Sequence, residues 1–149
     1  MTPDESAFER MKELANNISP DAPLPVCSPI FTGTRQDQTQ RASWSGLSPD
    51  NFTPALMTRS LLEGMASSFN EGFAAILSCG VTGLQEIVGA GNGIRENQVL
   101  QSCIESQFNM QIRIPKQSEE ATFGAAITAA IGCGILNDLS DSSQWIHYD

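Results

Sequence analysis

Hydrophobic positions along this chain fall into helical spacing in four places and into short extended runs in four others. Between residues 4 and 18, Phe8, Met11, Leu14 and Ile18 share one face with polar residues between them, which predicts an amphipathic helix. Prolines at 20, 23, 25 and 29 then interrupt regular structure, and residues 26–31 predict an extended stretch running into a loop. Residues 32–41 carry no apolar pattern and read as a turn, followed by a short strand over 42–47. Thr53 and Pro54 predict a helix start, with threonine as N-cap and proline at the first helical position. That helix runs to about Leu77 and is expected to bury Leu61, Leu62, Met65, Phe69, Phe73, Ile76 and Leu77. Its length implies a spine packed across a sheet.

The apolar run 84–88, with Glu86 inside it, predicts a strand. It enters Gly89-Ala90-Gly91-Asn92-Gly93 and leaves as a helix carrying Val99, Leu100, Ile104 and Phe108 at helical spacing. Residues 111–115 predict a further strand ended by proline. Ser118 is expected to cap a last helix, with Glu119 and Glu120 in the first turn, where carboxylates complement the helix dipole. Gly124, Ala125, Ala126, Ala129, Ala130 and Gly132 would let that helix pack closely against a neighbouring backbone. The polar stretch 137–149 is expected to fray, with Trp145 as its one docking residue. The order of helices and strands points to α/β architecture.

The length of 149 residues suits one domain with a sizeable core. A net charge of −9 argues against a nucleic-acid backbone or an anionic membrane surface as partner. Cys27, Cys79, Cys103 and Cys133 form no C-x-x-C pair and lie far from His147, the only histidine, so a zinc site is not expected. Met1 is followed by a polar, acidic segment unlike a secretory signal. Free thiols, read as core residues, then place the chain in the cytoplasm.

The chemistry concentrates in the glycine turn. A strand, a glycine turn and a helix N-terminus together can hold a nucleotide or another anion. Glycines let the backbone approach, and unpaired helix N–H groups face negative charge. The plain alternative for Gly89, Gly91 and Asn92 is a tight turn needing positive φ. For Arg95 the choice is between a nucleotide contact and an exposed side chain. A dinucleotide site fits poorly, because the third glycine comes too early and Ile114-Pro115-Lys116 stand where an acidic residue should end the next strand. Arg35 and Asp37 lie on a polar loop. Arg59 and Glu63 are an i, i+4 surface pair. Helix-start position accounts for Glu119 and Glu120 without catalysis.

Several of these segments resemble the FGGY family of carbohydrate kinases in order and spacing. Ala42-x-Trp44-x-Gly46-Leu47 followed by Met57-Thr58-Arg59-Ser60-Leu61-Leu62-Glu63 approximates the family's second signature, with Leu56 and Leu61 departing from it. Thr32-Gly33-Thr34-Arg35 looks like its sGeR turn, with Thr34 in place of the acidic residue. Gly89-Ala90-Gly91-Asn92 is similar to its adenosine-binding turn. Glu120-Ala121-Thr122-Phe123-Gly124-Ala125-Ala126 resembles its late EaaalGAA helix. Within the family, Gly-Asn-Gly-Ile-Arg-Glu-Asn and the missing acidic residue look most like the sedoheptulokinases.

The resemblance implies an α/β, ribonuclease H-like lobe of the actin-like ATPase type, truncated at its N-terminal side. Residues 1–136 would be part of the C-terminal kinase lobe and 137–149 a polar tail. Gly89, Gly91, Asn92 and Arg95 would hold the adenosine of ATP, with Mg2+ arriving alongside and held by residues outside this chain. The family's catalytic aspartate and phosphate-binding GDQ segment have no counterpart here, so no catalytic residue is expected. The partner would be a missing N-terminal lobe, and the substrate a ketose, sedoheptulose. The alternative is a non-catalytic truncated product or interaction module.

Overall fold

The computed structural model describes residues 3–19 and 21–149; the break expected at Pro20 lies outside them. The chain forms two compact units, one comprising the chain up to Thr82 with Val99–Asn109, the other Gly83–Gln98 with Met110–Asp149.

The first unit is built on α2, Pro54–Ser78. Its start follows the sequence: Thr53 is extended at φ −124° and its hydroxyl accepts the Leu56 N–H at 3.3 Å. α1 (Pro3–Asn16) packs on α2. The expected apolar face of α1 is only partly covered, since Phe8 and Met11 are exposed and Ala15 is the fully buried residue. β1 (Val26–Ser28) and β2 (Ser43–Ser45) pair antiparallel, Cys27 opposite Trp44. α2 crosses β1 at Gly64, where a Cβ would stand 2.3 Å from the Cys27 carbonyl oxygen. Only glycine permits that approach. The Trp44 indole N–H donates to Ser60 Oγ at 3.0 Å, and the Ser60 hydroxyl donates to the Met57 carbonyl at 2.9 Å. So a serine, buried to 1% exposure, sits in the core with its hydroxyl used twice.

The remaining core of this unit comes from Leu56, Leu62 and Ala66 of α2 and from Val99, Leu100, Cys103 and Ile104 of α4 (Gln98–Phe108). Phe73 and Phe108 meet with ring centroids 5.1 Å apart. Asn109 takes the left-handed conformation, φ 50°, that ends α4. The expected buried face of α2 holds only in part. Leu62 is buried and Leu61, Met65 and Phe73 are half-buried, but Phe69, Ile76 and Leu77 are exposed. Periodicity identifies a helix face; it does not supply the element that covers it. The fully buried residues of the spine therefore lie in its first half, Leu56 to Ala66.

The second unit holds β3 (Glu86–Val88) and β4 (Gln111–Arg113), which pair parallel with Ile87 opposite Ile112. Between them the expected single helix is two. α3, Asn92–Arg95, is one turn, and it closes where the Glu96 N–H bonds the Asn92 carbonyl at 3.0 Å and the Asn97 N–H bonds that of Ile94 at 3.2 Å. α5, Glu120–Gly132, follows Glu119 at its N-cap position, and Ser118 does not cap it. Ile127 and Ala130 of α5 cluster with Leu136, flanked by Phe123, Ile131 and Trp145. The small residues expected to meet a backbone do not: Gly124, Ala125, Ala126, Ala129 and Gly132 are exposed.

The C-terminal stretch docks rather than fraying. A 3-10 helix, Leu139–Trp145, is capped by Asp138, whose carboxylate accepts the Ser140 N–H at 2.8 Å. Beyond it, Pro115 and Tyr148 form an antiparallel bridge, the Lys116 N–H donates to the His147 carbonyl at 2.8 Å, and the Asp149 N–H donates to that of Ile114 at 3.0 Å. The Arg113 guanidinium lies 4.0 Å from the Tyr148 ring centroid. Polarity concealed this docking because most of it is backbone hydrogen bonding, to which any sequence contributes.

Candidate functional site

The glycine turn lies wholly within the second unit. Gly89 ends β3, with its N–H donating to the Arg113 carbonyl at 3.0 Å. A Cβ at 89 would stand 2.7 Å from Ile112 Cδ1 and 2.8 Å from Ile94 Cγ2, so any larger residue would force the isoleucines beneath the turn to shift. Gly91 requires glycine for another reason, a φ of 92° that L side chains rarely adopt. Its carbonyl accepts the N–H groups of Ile94 at 3.2 Å and Arg95 at 3.0 Å, which starts α3. Ala90, Asn92 and Gly93 are exposed. Gly89 is thus internal to the turn, Gly91 is half-buried, and Asn92 lies on its outer surface.

Arg95 is not the exposed side chain of the plainer alternative. Its guanidinium reaches from α3 to the segment between β4 and α5, donating to the Pro115 carbonyl, to the Gln117 carbonyl at 2.7 Å, and to Glu120. The side chain is 19% exposed and Glu120's is 28% exposed, so this pair is better shielded than ordinary surface ion pairs. The same Glu120 oxygen accepts the Gly91 N–H at 3.2 Å. Glu120's own helix-start N–H, the Gly91 N–H and Arg95 hold its carboxyl below the usual carboxylate range.

Reading Glu120 as a helix-dipole residue alone missed this. The two partners lie 25 residues apart, and the pairing of β3 with β4 fixes where each begins. The available signal was a glutamate opening the helix that follows the second strand of a strand–glycine-turn–strand unit.

The loop and α2 candidates belong to the first unit. The loop at 32–41 closes on itself: the Thr34 N–H donates to the Asp37 carbonyl at 2.8 Å, and the Asp37 carboxylate accepts the Thr39 N–H and hydroxyl at 2.8 and 2.6 Å. Those Thr39 bonds lower the Asp37 pKa. Arg35 is exposed. Arg59 and Glu63 pair at 2.9 Å on α2, with the Gln107 amide donating to the Glu63 carbonyl at 3.3 Å. Of the cysteines, Cys27 and Cys103 are core residues, but Cys79 and Cys133 are exposed, against expectation. Burial, reinforced by the Glu63 charge, pushes the Cys103 thiol up to about 12.

Among the described residues, no group of three or more His, Cys, Asp or Glu side chains could hold a metal ion. No described helix is long and apolar enough to cross a membrane.

Residues 2–133 match the C-terminal domain of the FGGY family of carbohydrate kinases. The fold is similar to that of a ligand-bound xylulose kinase from Lactobacillus acidophilus, with a TM-score of 0.81 at 22% identity over 95% of this chain and 29% of that one. It is also similar to a xylulose kinase from Rhodospirillum rubrum, with a TM-score of 0.79 at 24% identity over 99% of this chain and 29% of that one. A glycerol kinase from Plasmodium falciparum with ADP gives a TM-score of 0.70 at 23% identity, over 97% of this chain and 28% of that one. These are lobes of the ribonuclease H-like, actin-like ATPase class, so the expected α/β fold class holds. The chain spans 28–29% of these structures. No curated protein matches the sequence.

Proposed function

The chain belongs to the FGGY family of carbohydrate kinases, as its C-terminal domain, and from that premise we propose that it supplies the adenosine side of a sugar kinase's ATP site. The observation that carries this is the turn surface of half-buried Gly91 and exposed Asn92, in the segment that resembles the family's adenosine-binding turn. On this reading Gly91 and Asn92 face the adenosine through backbone and amide. Gly89 lets β3 close tightly beneath them, and Arg95 fixes the turn from behind. The relative with ADP supports ATP as the phosphoryl donor. Magnesium would arrive with the ATP and be held by residues outside this chain.

Phosphoryl transfer is mostly positioning and electrostatic stabilisation around the phosphates and metal. The part assigned to this chain is therefore to orient the nucleotide from its neutral end. The assembly completing the site would be an N-terminal lobe carrying the sugar pocket and the base. The sugar we propose is a ketose, sedoheptulose, on the support of the Gly91–Asn97 wording and of Thr34 in the acidic position. The relatives are named for xylulose, gluconate and glycerol, so the substrate test must include those. Four free cysteines support a cytoplasmic setting.

A second reading has an observation of its own. Phe69, Ile76 and Leu77 expose apolar surface on α2, which suits a non-catalytic interaction module. One experiment separates the two: an immunoblot of the source cells with an antibody against this chain, followed by sugar-dependent ADP release from the purified product. A band severalfold larger than 16.0 kDa with ketose-dependent ADP release supports the kinase. A band at 16.0 kDa alone, without turnover, supports the module.

A further inference from the structure

The sequence leaves open whether the glycine turn takes a phosphate or an uncharged group, and Glu120 decides between them. Gly91 offers the N–H that an anion would use, at the start of α3. That N–H already donates to the Glu120 carboxylate at 3.2 Å. Glu120 is in turn fixed by Arg95, whose other bonds to the Pro115 and Gln117 carbonyls hold the guanidinium in place. A phosphate approaching Gly91 would lose this donor and meet a carboxylate at hydrogen-bond distance. The Arg95 charge that might offset the repulsion is already paired with that carboxylate.

We infer that Glu120 is a specificity-determining residue that excludes phosphate from the Gly91 turn. It thereby reserves the Ala90–Gly93 surface for an uncharged ligand face such as a nucleoside. The exclusion stands on the geometry alone; the nucleoside preference rests on the adenosine reading above. Glu120→Gln preserves shape and an acceptor for Gly91 but removes the charge, and so separates exclusion from turn geometry. Glu119→Gln removes a neighbouring charge that does not bond the turn.

The test is backbone amide NMR of the 149-residue chain, titrated separately with inorganic phosphate at fixed ionic strength and with adenosine. In the wild type and in Glu119→Gln, phosphate should leave the Gly91, Asn92 and Gly93 amides unmoved. In Glu120→Gln it should shift them, with apparent affinity higher by about tenfold or more, the scale of one close charge interaction. Equal phosphate shifts in wild type and Glu120→Gln overturn the inference, and so does an equal gain in Glu119→Gln. The wild-type titration needs no variant, so a phosphate shift there overturns it even if Glu120→Gln fails to fold. Adenosine that moves none of these amides, with phosphate discrimination intact, removes the nucleoside preference and the adenosine site while leaving the exclusion in place.

Discussion

The two units of this chain are held together by different physics. In the first, apolar side chains from α2, α4 and β1 bury one another, and buried Ser60 enters the core with its hydroxyl satisfied by Trp44 and Met57. In the second, the buried cluster is small, and the glycine turn depends on one carboxylate and one guanidinium tying three segments together. Stability of the first should follow packing, and geometry of the second should follow charge. The proposed site lies in the second, where Gly91 holds a φ of 92° beside the Glu120–Arg95 pair.

The sharpest way to break the comparison is to cut the apolar core. Leu100 is 2% exposed in the first unit. Leu100→Ala should cost roughly 2–5 kcal/mol, through lost transfer energy and the cavity left behind. Urea unfolding followed by circular dichroism measures the cost, and a loss near zero would mean that this core does not carry the unit. Gly64→Ala comes next, at about 1–3 kcal/mol, because the added methyl meets the Cys27 backbone carbonyl and not a side chain that can swing away. Arg95→Ala should follow at roughly 1.5 kcal/mol, the low end for bonds to a charged group, since the pair is partly exposed. Its signature is local. Hydrogen exchange should speed up at Gly91 and Arg95 but not at Leu100 or Ile104. Equal acceleration in both units would erase the distinction.

How legible these features were in the sequence follows the same division. Thr53-Pro54 announced α2, because caps and first-turn prolines act through atoms a few residues away. The glycine turn was legible for the same local reason. The exposure of Phe69, Ile76 and Leu77 was not, since helical spacing reports a face and not its cover. α5 misled in a similar way: a run of small and apolar residues reads as buried, yet only Ile127 and Ala130 are. The Arg95–Glu120 pair escaped because it exists only once β3 and β4 are in register. Long-range charge pairs carry no periodicity to read.

Acid titration sharpens the comparison with the smallest perturbation. Glu120 and Asp138 in the second unit both have lowered pKa values, Glu120 through its own helix-start N–H, Gly91 and Arg95, and Asp138 through Ser140. A carboxyl whose folded pKa lies below its unfolded value contributes stability that is fully present above the unfolded value, near pH 4. That stability is lost as pH falls through the folded value. Asp37 behaves alike in the first unit, but its bonds stay inside an exposed loop and touch no core residue. Lowering the pH from about 6 to 3 should therefore loosen the second unit first. Amide exchange, corrected for its intrinsic pH dependence, should show protection at Gly91, Arg95 and Ser140 falling across that window while Leu100 and Ile104 hold. Raising the pH from 6 to 8 should change neither set through these groups, which are already ionised. Protection at Gly91 that persists to pH 3 would mean that Glu120 holds the turn by shape and not by charge.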